Sequence, residues 1–228
     1  MVRTRSRRYR KGAELVDRTK VYEANEALEI LKKFPGPKFE EAVEIAVRLG
    51  IDPKKTDQLV RGSVSLPKGT GKEVRIAVFA EGDKAEAAKA AGADFVGGQD
   101  LAEKIEGGFT DFDMTIASPD MMRFVGKIGR VLGPQGKMPS PKAGTVTPNV
   151  GDAVREFKAG KIEFRTDSGA NVHAAIGRRS FNVDDLEENL RAFVEHLKSL
   201  KPAQAKGTFI RKVSVTTSMG PGITVAVG

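Results

Sequence analysis

Apolar residues recur along this chain with two different periods. In residues 24–34 they fall at helical spacing, which predicts an amphipathic helix. Residues 39–49 alternate instead between apolar and polar side chains, which predicts a strand with one buried face. A short strand-like pattern follows at 60–66, and the Pro- and Gly-containing stretch 67–71 predicts a linker.

The middle of the chain has a different pattern of apolar residues. Residues 74–80 form a continuous apolar run, as expected of a strand buried on both faces. Further strand-like runs lie at 93–96 and 114–117, with helical patterns after each strand. The order βαβαβα predicts a small α/β unit with parallel strands.

The last third returns to alternating strands and one long amphipathic helix. Two alternating segments flank Asp167-Ser168-Gly169, which predicts a hairpin. A helix is predicted at 183–199, with Asn182 as its N-cap, and a long strand at 208–217. The two outer parts of the chain therefore suit an α+β sandwich.

Charge divides the chain in the same places. The net charge of the 228 residues is +8; residues 1–67 carry +5, residues 68–157 carry −1 and residues 158–228 carry +4. The basic ends and the neutral middle favour one discontinuous domain, 1–67 with 158–228, interrupted by an inserted domain, 68–157. The predicted fold class is thus α/β and α+β, in two domains.

Composition excludes several classes of protein. The chain has no cysteine, which rules out disulfides and Cys-based zinc sites, and its only histidines are His173 and His196. No run of 18 apolar residues and no apolar segment near the N-terminus predicts a membrane span or a secretory signal. These features favour a cytoplasmic protein with no cofactor, no metal and no membrane partner.

Two basic segments are candidate contacts with a polyanion. Residues 1–13 hold six basic and no acidic residues; they are either an arm that binds phosphates or a solubility tail. The Gly-rich stretch 126–139 is either a polyanion contact or a rigid loop. It fails the Walker A pattern, because Val131 and Met138 stand where Gly and Ser or Thr are required. A nucleotide-using enzyme is therefore disfavoured.

Several long motifs, in order, resemble one known family. The stretch GRVLGPQGKMPSPKAGTV at 129–146 is similar to the signature of the L-one family of ribosomal proteins, and the overall pattern resembles its bacterial members. TTSMGPG at 216–222, KFEEAVEIAVRLGIDPKKTDQLVRGSVSLP at 38–67 and AGKIEFRTDSGANVHAAIG at 159–177 resemble further parts of it. The resemblance implies a discontinuous RNA-binding domain and an inserted Rossmann-like domain, with no enzymatic activity.

The resemblance also implies which residues contact RNA. The matching positions are Lys38, Phe39, Glu40, Arg165, Thr166, Asp167, His173, Ser180, Thr217, Ser218, Met219 and Gly220. Secondary contacts with tRNA or other RNA are expected at Lys54, Lys55, Arg61, Lys127, Arg130 and Lys137. One departure is Ser218, where the family has Thr before Met-Gly. The residues alone leave Phe39 open between a core position and a stacking surface, and His173 between an RNA contact and a structural residue.

The partners implied by the resemblance are all ribonucleic acids. They are the ribosomal RNA of the mobile stalk of the large subunit, deacylated tRNA at the exit site, whose release the family assists, and the family's own messenger RNA, whose translation it represses. The protein is expected as a monomer within the ribosome. A free translational repressor without a ribosomal role is the remaining alternative.

Overall fold

The computed structural model describes residues 5–226, which form eight α-helices and nine β-strands. The helices are α1 (Arg7–Glu14), α2 (Ala24–Lys33), α3 (Asp83–Ala90), α4 (Gln99–Glu106), α5 (Met122–Lys127), α6 (Gly129–Leu132), α7 (Val150–Lys158) and α8 (Val183–Ser199). The strands are β1 (Ala42–Leu49), β2 (Arg61–Ser65), β3 (Ile76–Phe79), β4 (Phe95–Gly97), β5 (Met114–Ala117), β6 (Lys161–Arg165), β7 (Asn171–Arg178), β8 (Ile210–Thr217) and β9 (Ile223–Val225). Short 3-10 helices lie at Pro119–Met121 and Pro141–Ala143.

The two ends of the chain build one unit around a four-stranded antiparallel sheet. The strand order is β7-β1-β8-β9, so strands from both ends of the sequence are neighbours. Every second residue of β1, from Val43 to Leu49, is buried on one face of the sheet, in the hydrophobic cluster that also contains residues of α2 and α8. The opposite face carries the polar half of the alternation and is called the open face below.

A buried polar residue ties the segment after β2 to this core. The side chain of Asn189 on α8 is fully buried. It donates to the carbonyls of Gly69 (2.9 Å) and Ile176 (2.8 Å) and accepts from the amide of Lys68 (3.0 Å). Because all its polar atoms are satisfied, Asn189 is buried without an unpaired group.

The middle of the chain forms a parallel sheet of its own, as predicted. The strand order is β4-β3-β5, and all four residues of β3 are buried. Separate hydrophobic clusters cover its two faces, one with α4, α5 and α6 and the other with α3 and α7. The continuous apolar run in the sequence arises because β3 is central and covered on both sides.

Residue contacts divide the chain into two compact units. One contains residues 1–72 and 162–228, and the other contains residues 73–161. The sequence placed the divisions slightly earlier, after residues 67 and 157. The division into a discontinuous RNA-binding domain and an inserted Rossmann-like domain stays a prediction.

The predicted hairpin around residues 167–169 is wrong. Strand β6 pairs with β2 in a separate two-stranded sheet, while β7 pairs with β1. The chain does reverse at this point, but only one isolated bridge, between Thr166 and Val172, joins the two arms. The local turn signal was correct; the partner of each strand was decided by more distant residues.

Two further details concern the ends of helices α8 and α1. Asn182 occupies the N-cap position of α8, but its side chain makes no capping hydrogen bond. Within the basic segment, for which no conformation was predicted, residues 7–13 are helical: α1 begins after Ser6, whose hydroxyl accepts from the amide of Tyr9 (3.2 Å). The first basic residue of that segment, Arg3, lies outside the described residues.

Candidate nucleic-acid interface

The turn that follows β8 lies against the start of β1. The amide of Ser218 donates to the carbonyl of Ala42 (3.1 Å), and the amide of Ala42 donates to Ser218 Oγ (3.2 Å). Ser218 Oγ also lies 3.4 Å from Glu44 Oε1. These bonds extend the β1–β8 pairing, in which Val43 is opposite Thr217, and they place the predicted residues 218–220 beside the predicted residues 38–40.

A buried carboxylate holds this turn in place. Glu41 is 2% exposed; its Oε1 accepts from the amide of Met219 (3.0 Å), and its Oε2 lies 3.2 Å from Arg179. The Arg179 guanidinium also donates to the carbonyls of Lys32 (2.9 Å) and Phe34. Charge-assisted hydrogen bonds of this kind fix geometry as well as adding energy.

Glu41 and Arg179 were missed by the sequence analysis. A signal for Glu41 was present, because residues 41, 43, 45, 47 and 49 point into the core and only the first of them is charged. An acidic side chain at an inward position of a strand needs a buried partner. Nothing local identified Arg179 as that partner.

Around this anchor the predicted residues are exposed. Lys38, Phe39 and Glu40 precede β1 on the surface, and Ser180 Oγ donates to Glu40 Oε1. Phe39 and Met219 are 57% and 50% exposed, so both of these large apolar residues lie at the surface. Phe39 is therefore not a core residue, and its ring is free to act as a stacking surface.

Thr217 and Gly220 have structural constraints of their own. Thr217 is 1% exposed, so its side chain does not reach the surface. A direct contact between that side chain and RNA stays a prediction, and its burial argues against it. A Cβ at Gly220 would overlap Thr217 Oγ1 and lie 3.0 Å from Phe34 Cδ2. Glycine at 220 therefore lets the turn pack closely against the core.

A second group of predicted residues lies at the turn between β6 and β7. Thr166 donates through its amide and its Oγ1 to the carbonyl of Val60, both at 2.9 Å. Asp167 Oδ1 accepts from the amides of Asn171 (2.7 Å) and Gly169 (2.8 Å). The hydrogen bond from the Asn171 amide is the main cause of a lowered pKa of Asp167, and the other hydrogen bonds add to it. The carboxylate therefore stays ionised.

The two groups lie at opposite ends of the open face. Residue 43 of β1 is opposite Thr217, whereas Arg48 is opposite Asn171, so about 17 Å of strand separates the two ends. Between them His173 is exposed on the open face, opposite Ala46, with its Nε2 3.4 Å from Asp167 Oδ2. Arg165 is exposed at the end of β6.

The predicted secondary RNA contacts differ from one another in exposure and in their partners. Lys54 and Lys55 are exposed in the turn after β1, whereas Arg61 is paired with Glu163 at 2.8 Å. In the other unit, Lys127 and Arg130 are exposed. Lys137 is half-buried: its Nζ donates to the carbonyl of Thr110 (3.0 Å) and lies over a phenylalanine ring, so it stabilises its own loop.

The Gly-rich segment 126–139 folds largely as α5, α6 and a turn. Ile128 and Leu132 are buried in the hydrophobic cluster below it. Among residues 5–226 there is no cluster of His, Asp or Glu suited to a metal ion. The same part of the chain contains no helix of the length and apolarity that a membrane span requires.

Known proteins are similar to this chain over nearly its whole length. The model of the ribosomal protein L1p/L10e family matches residues 31–221. The large ribosomal subunit protein uL1 of Kosmotoga olearia is 55% identical over 219 residues, covering 96% of this chain and 95% of its own. The protein of that name from Bordetella pertussis is 57% identical over 215 residues, covering 94% and 93%. That of Thermosipho melanesiensis is 54% identical over 221 residues, covering 96% and 95%.

Proposed function

This chain belongs to the ribosomal protein L1p/L10e family, and from that membership we propose that it is a component of the large ribosomal subunit that binds folded ribosomal RNA of the mobile stalk. The expectation that the chain is not an enzyme is confirmed by the family. The RNA surface consists of residues 38–40, the turn 218–220, and the open face with the corner formed by Arg165, Asp167 and His173.

The observation that carries this proposal is the pair of exposed apolar side chains beside a rigidly held turn. Phe39 and Met219 face solvent, while the turn that carries Met219 is fixed by a buried carboxylate. RNA-binding proteins use exposed aromatic side chains as platforms for unstacked bases. A turn held in advance loses little conformational entropy when RNA binds.

The remaining contacts supply charge and hydrogen bonds. Lys38 and Arg165 neutralise phosphates, Ser218 and Ser180 offer hydroxyl groups, and the ionised Asp167 accepts from 2′-hydroxyls. Thr217 acts indirectly, because its buried side chain packs beneath the turn 218–220.

We further propose that the chain forms two domains, of which one carries the RNA-binding surface. Residues 1–67 and 158–228 form the RNA-binding α+β sandwich, and residues 68–157 form a Rossmann-like insertion. In the assembled ribosome the protein assists the release of deacylated tRNA from the exit site, with Lys54, Lys55 and Arg130 among the contacts. The same RNA surface binds a site of similar shape on the protein's own messenger RNA and represses its translation.

The test is binding to a stalk RNA fragment and to an unrelated RNA of equal length, across a salt series. The wild-type protein is expected to prefer the stalk RNA by at least about 100-fold. Gly220→Ala forces the turn to move, whereas Gly126→Ala, in the other unit, places a Cβ with nothing within 4 Å and is the control. We expect only the first variant to lose the preference.

Two outcomes would contradict the proposal. Equal, steeply salt-dependent binding to both RNAs would leave only a basic protein without a specific site. Selective binding without co-sedimentation with the large subunit, at low and moderate salt, would favour a free repressor.

A further inference from the structure

A basic cavity lies on the open face, outside the RNA contacts that the family resemblance implies. Its volume is about 820 Å³, and it is formed where α1 and the segment after it meet the edge of the sheet. The residues that give it chemical character are Arg5, Tyr9, Asp17, Arg18 and Lys212. This volume is within the range of about 300–1,000 Å³ typical of pockets for small organic ligands.

The cations of this cavity have no acidic partners of their own. Among residues 5–226, Arg5, Arg18 and Lys212 take part in no ion pair. The one carboxylate in the lining, Asp17, is held by its neighbour: Thr19 donates to Asp17 Oδ1 through its Oγ1 (2.7 Å) and its amide (2.9 Å). Three positive charges therefore face one negative charge, and the cavity suits an anion.

An aromatic surface accompanies the positive charge. The Arg5 guanidinium lies over the Tyr9 ring, 4.9 Å from its centroid. Bases that leave their helix stack on aromatic rings and on planar guanidinium groups alike. The cavity thus combines a stacking surface with phosphate-binding groups, which together match one nucleotide.

The register of the sheet connects this cavity to the predicted RNA surface. His173, Ala46, Ser214 and Thr224 are successive partners across the four strands, so their side chains lie in one row on the open face. His173 is at one end of this row, and Ser214 and Thr224 line the cavity at the other. With neighbouring strands about 4.8 Å apart, the row spans about 14 Å.

We propose that this cavity binds one unstacked nucleotide of the RNA that occupies the open face. The base stacks on the Arg5–Tyr9 pair, and its phosphate contacts Arg18 and Lys212. This proposal rests on the proposed function, because RNA must first be bound to the open face, and it extends the interface to the N-terminal helix.

The first test measures how much the charge of Lys212 contributes to RNA binding. Lys212→Gln is compared with Arg211→Gln, which removes the same charge from the adjacent, exposed residue that does not line the cavity. In a plot of log affinity for the stalk RNA against log salt, we expect the slope of Lys212→Gln to become shallower by about 0.7–0.9, the effect of one phosphate contact. Arg211→Gln is expected to keep the wild-type slope.

The second test observes the ring directly. The chain has two tyrosines and no tryptophan, so 3-fluorotyrosine labelling gives two ¹⁹F signals, and Tyr22→Phe identifies that of Tyr9. Addition of the stalk RNA is expected to shift the Tyr9 signal more than that of the buried Tyr22. Tyr9→Ala is expected to weaken binding about tenfold, while Tyr9→Phe, which keeps the ring, restores wild-type affinity.

The outcomes separate this proposal from the one on which it rests. If the wild-type protein prefers the stalk RNA but Lys212→Gln matches it in salt slope and Tyr9→Ala matches it in affinity, the cavity is not an RNA contact and the proposed function stands. If the wild-type protein shows no preference, the proposed function fails. If the Tyr9 signal does not change when the stalk RNA binds, no nucleotide stacks on this ring and the proposal for the cavity is wrong.

Discussion

The turn that carries Met219 depends on one buried carboxylate, and this dependence gives the sharpest prediction. Replacing Glu41 with Ala removes the acceptor of the Met219 amide and the partner of the Arg179 guanidinium. We expect this variant both to unfold more easily and to lose preference for the stalk RNA. Glu41→Gln keeps an oxygen for the amide but loses the charge, so its effects are expected to be intermediate.

The magnitude follows from burial. Removing one partner of a fully buried ion pair typically costs about 3–5 kcal/mol, because the other charge is left unpaired. The Glu41 side chain is 2% exposed, but that of Arg179 is 24% exposed and keeps two carbonyl acceptors. Water and these carbonyls compensate in part, so we expect Glu41→Ala to lower the free energy of unfolding by about 2–3 kcal/mol.

The chain offers a convenient assay and control. Both tyrosines, Tyr9 and Tyr22, lie in the unit built from the chain ends, so tyrosine fluorescence during urea unfolding reports on that unit. Glu188→Ala removes one carboxylate from a solvent-exposed ion pair with Lys68, which also has Asp185 as a partner. We expect this control to unfold like the wild-type protein.

The reasoning would be refuted by a Glu41→Ala variant whose urea midpoint equals that of Glu188→Ala. It would also be refuted if the less stable variant kept full preference for the stalk RNA under conditions where it is folded. In that case the buried carboxylate would stabilise the fold without positioning the turn.

Three further predictions follow from burial and hydrogen bonding. Phe193→Ala, at a fully buried ring, is expected to lower the free energy of unfolding by about 3–5 kcal/mol, whereas Phe39→Ala leaves stability unchanged and weakens RNA binding. Asn189→Ala is expected to cost about 2–3 kcal/mol in urea unfolding, whereas Asn182→Ala, which loses no capping bond, costs almost nothing. The lowered pKa of Asp167 stabilises the fold above the unfolded value of 3.8, and this contribution is lost as the pH falls through the folded pKa. Urea midpoints of the wild-type protein and Asp167→Asn are therefore expected to differ at pH 7 and to converge as the pH falls below 3.8.

The candidate site was predictable from the sequence only through long motifs. The resemblance identified the exposed residues 38–40 and 218–220, and the structure brings these segments together where β1 begins and β8 ends. It included Thr217, whose side chain is buried, and it omitted Glu41 and Arg179, which hold the site in shape. Burial and partner choice depend on the packed structure, so a list of matching residues does not contain them.

The sequence by itself determined the periods of the elements and the separation into outer and middle parts. The pattern of apolar residues is a local property of each element, because it reflects whether one side or both sides are covered. Apolar and polar residues alternate in β1, apolar residues are continuous in β3, and they form one stripe along α8. Charge distribution pointed to the same division, since the basic residues are concentrated in the two ends.

Only the tertiary structure decided which segments are neighbours. Glu41 meets Arg179 across 138 positions and Met219 across 178, and β6 pairs with β2 rather than with the strand that follows it. The cavity beside Tyr9 and Lys212 likewise joins the first helix to one of the last strands. Such pairings result from packing one buried face against another across the whole unit, and no local pattern encodes the choice of partner.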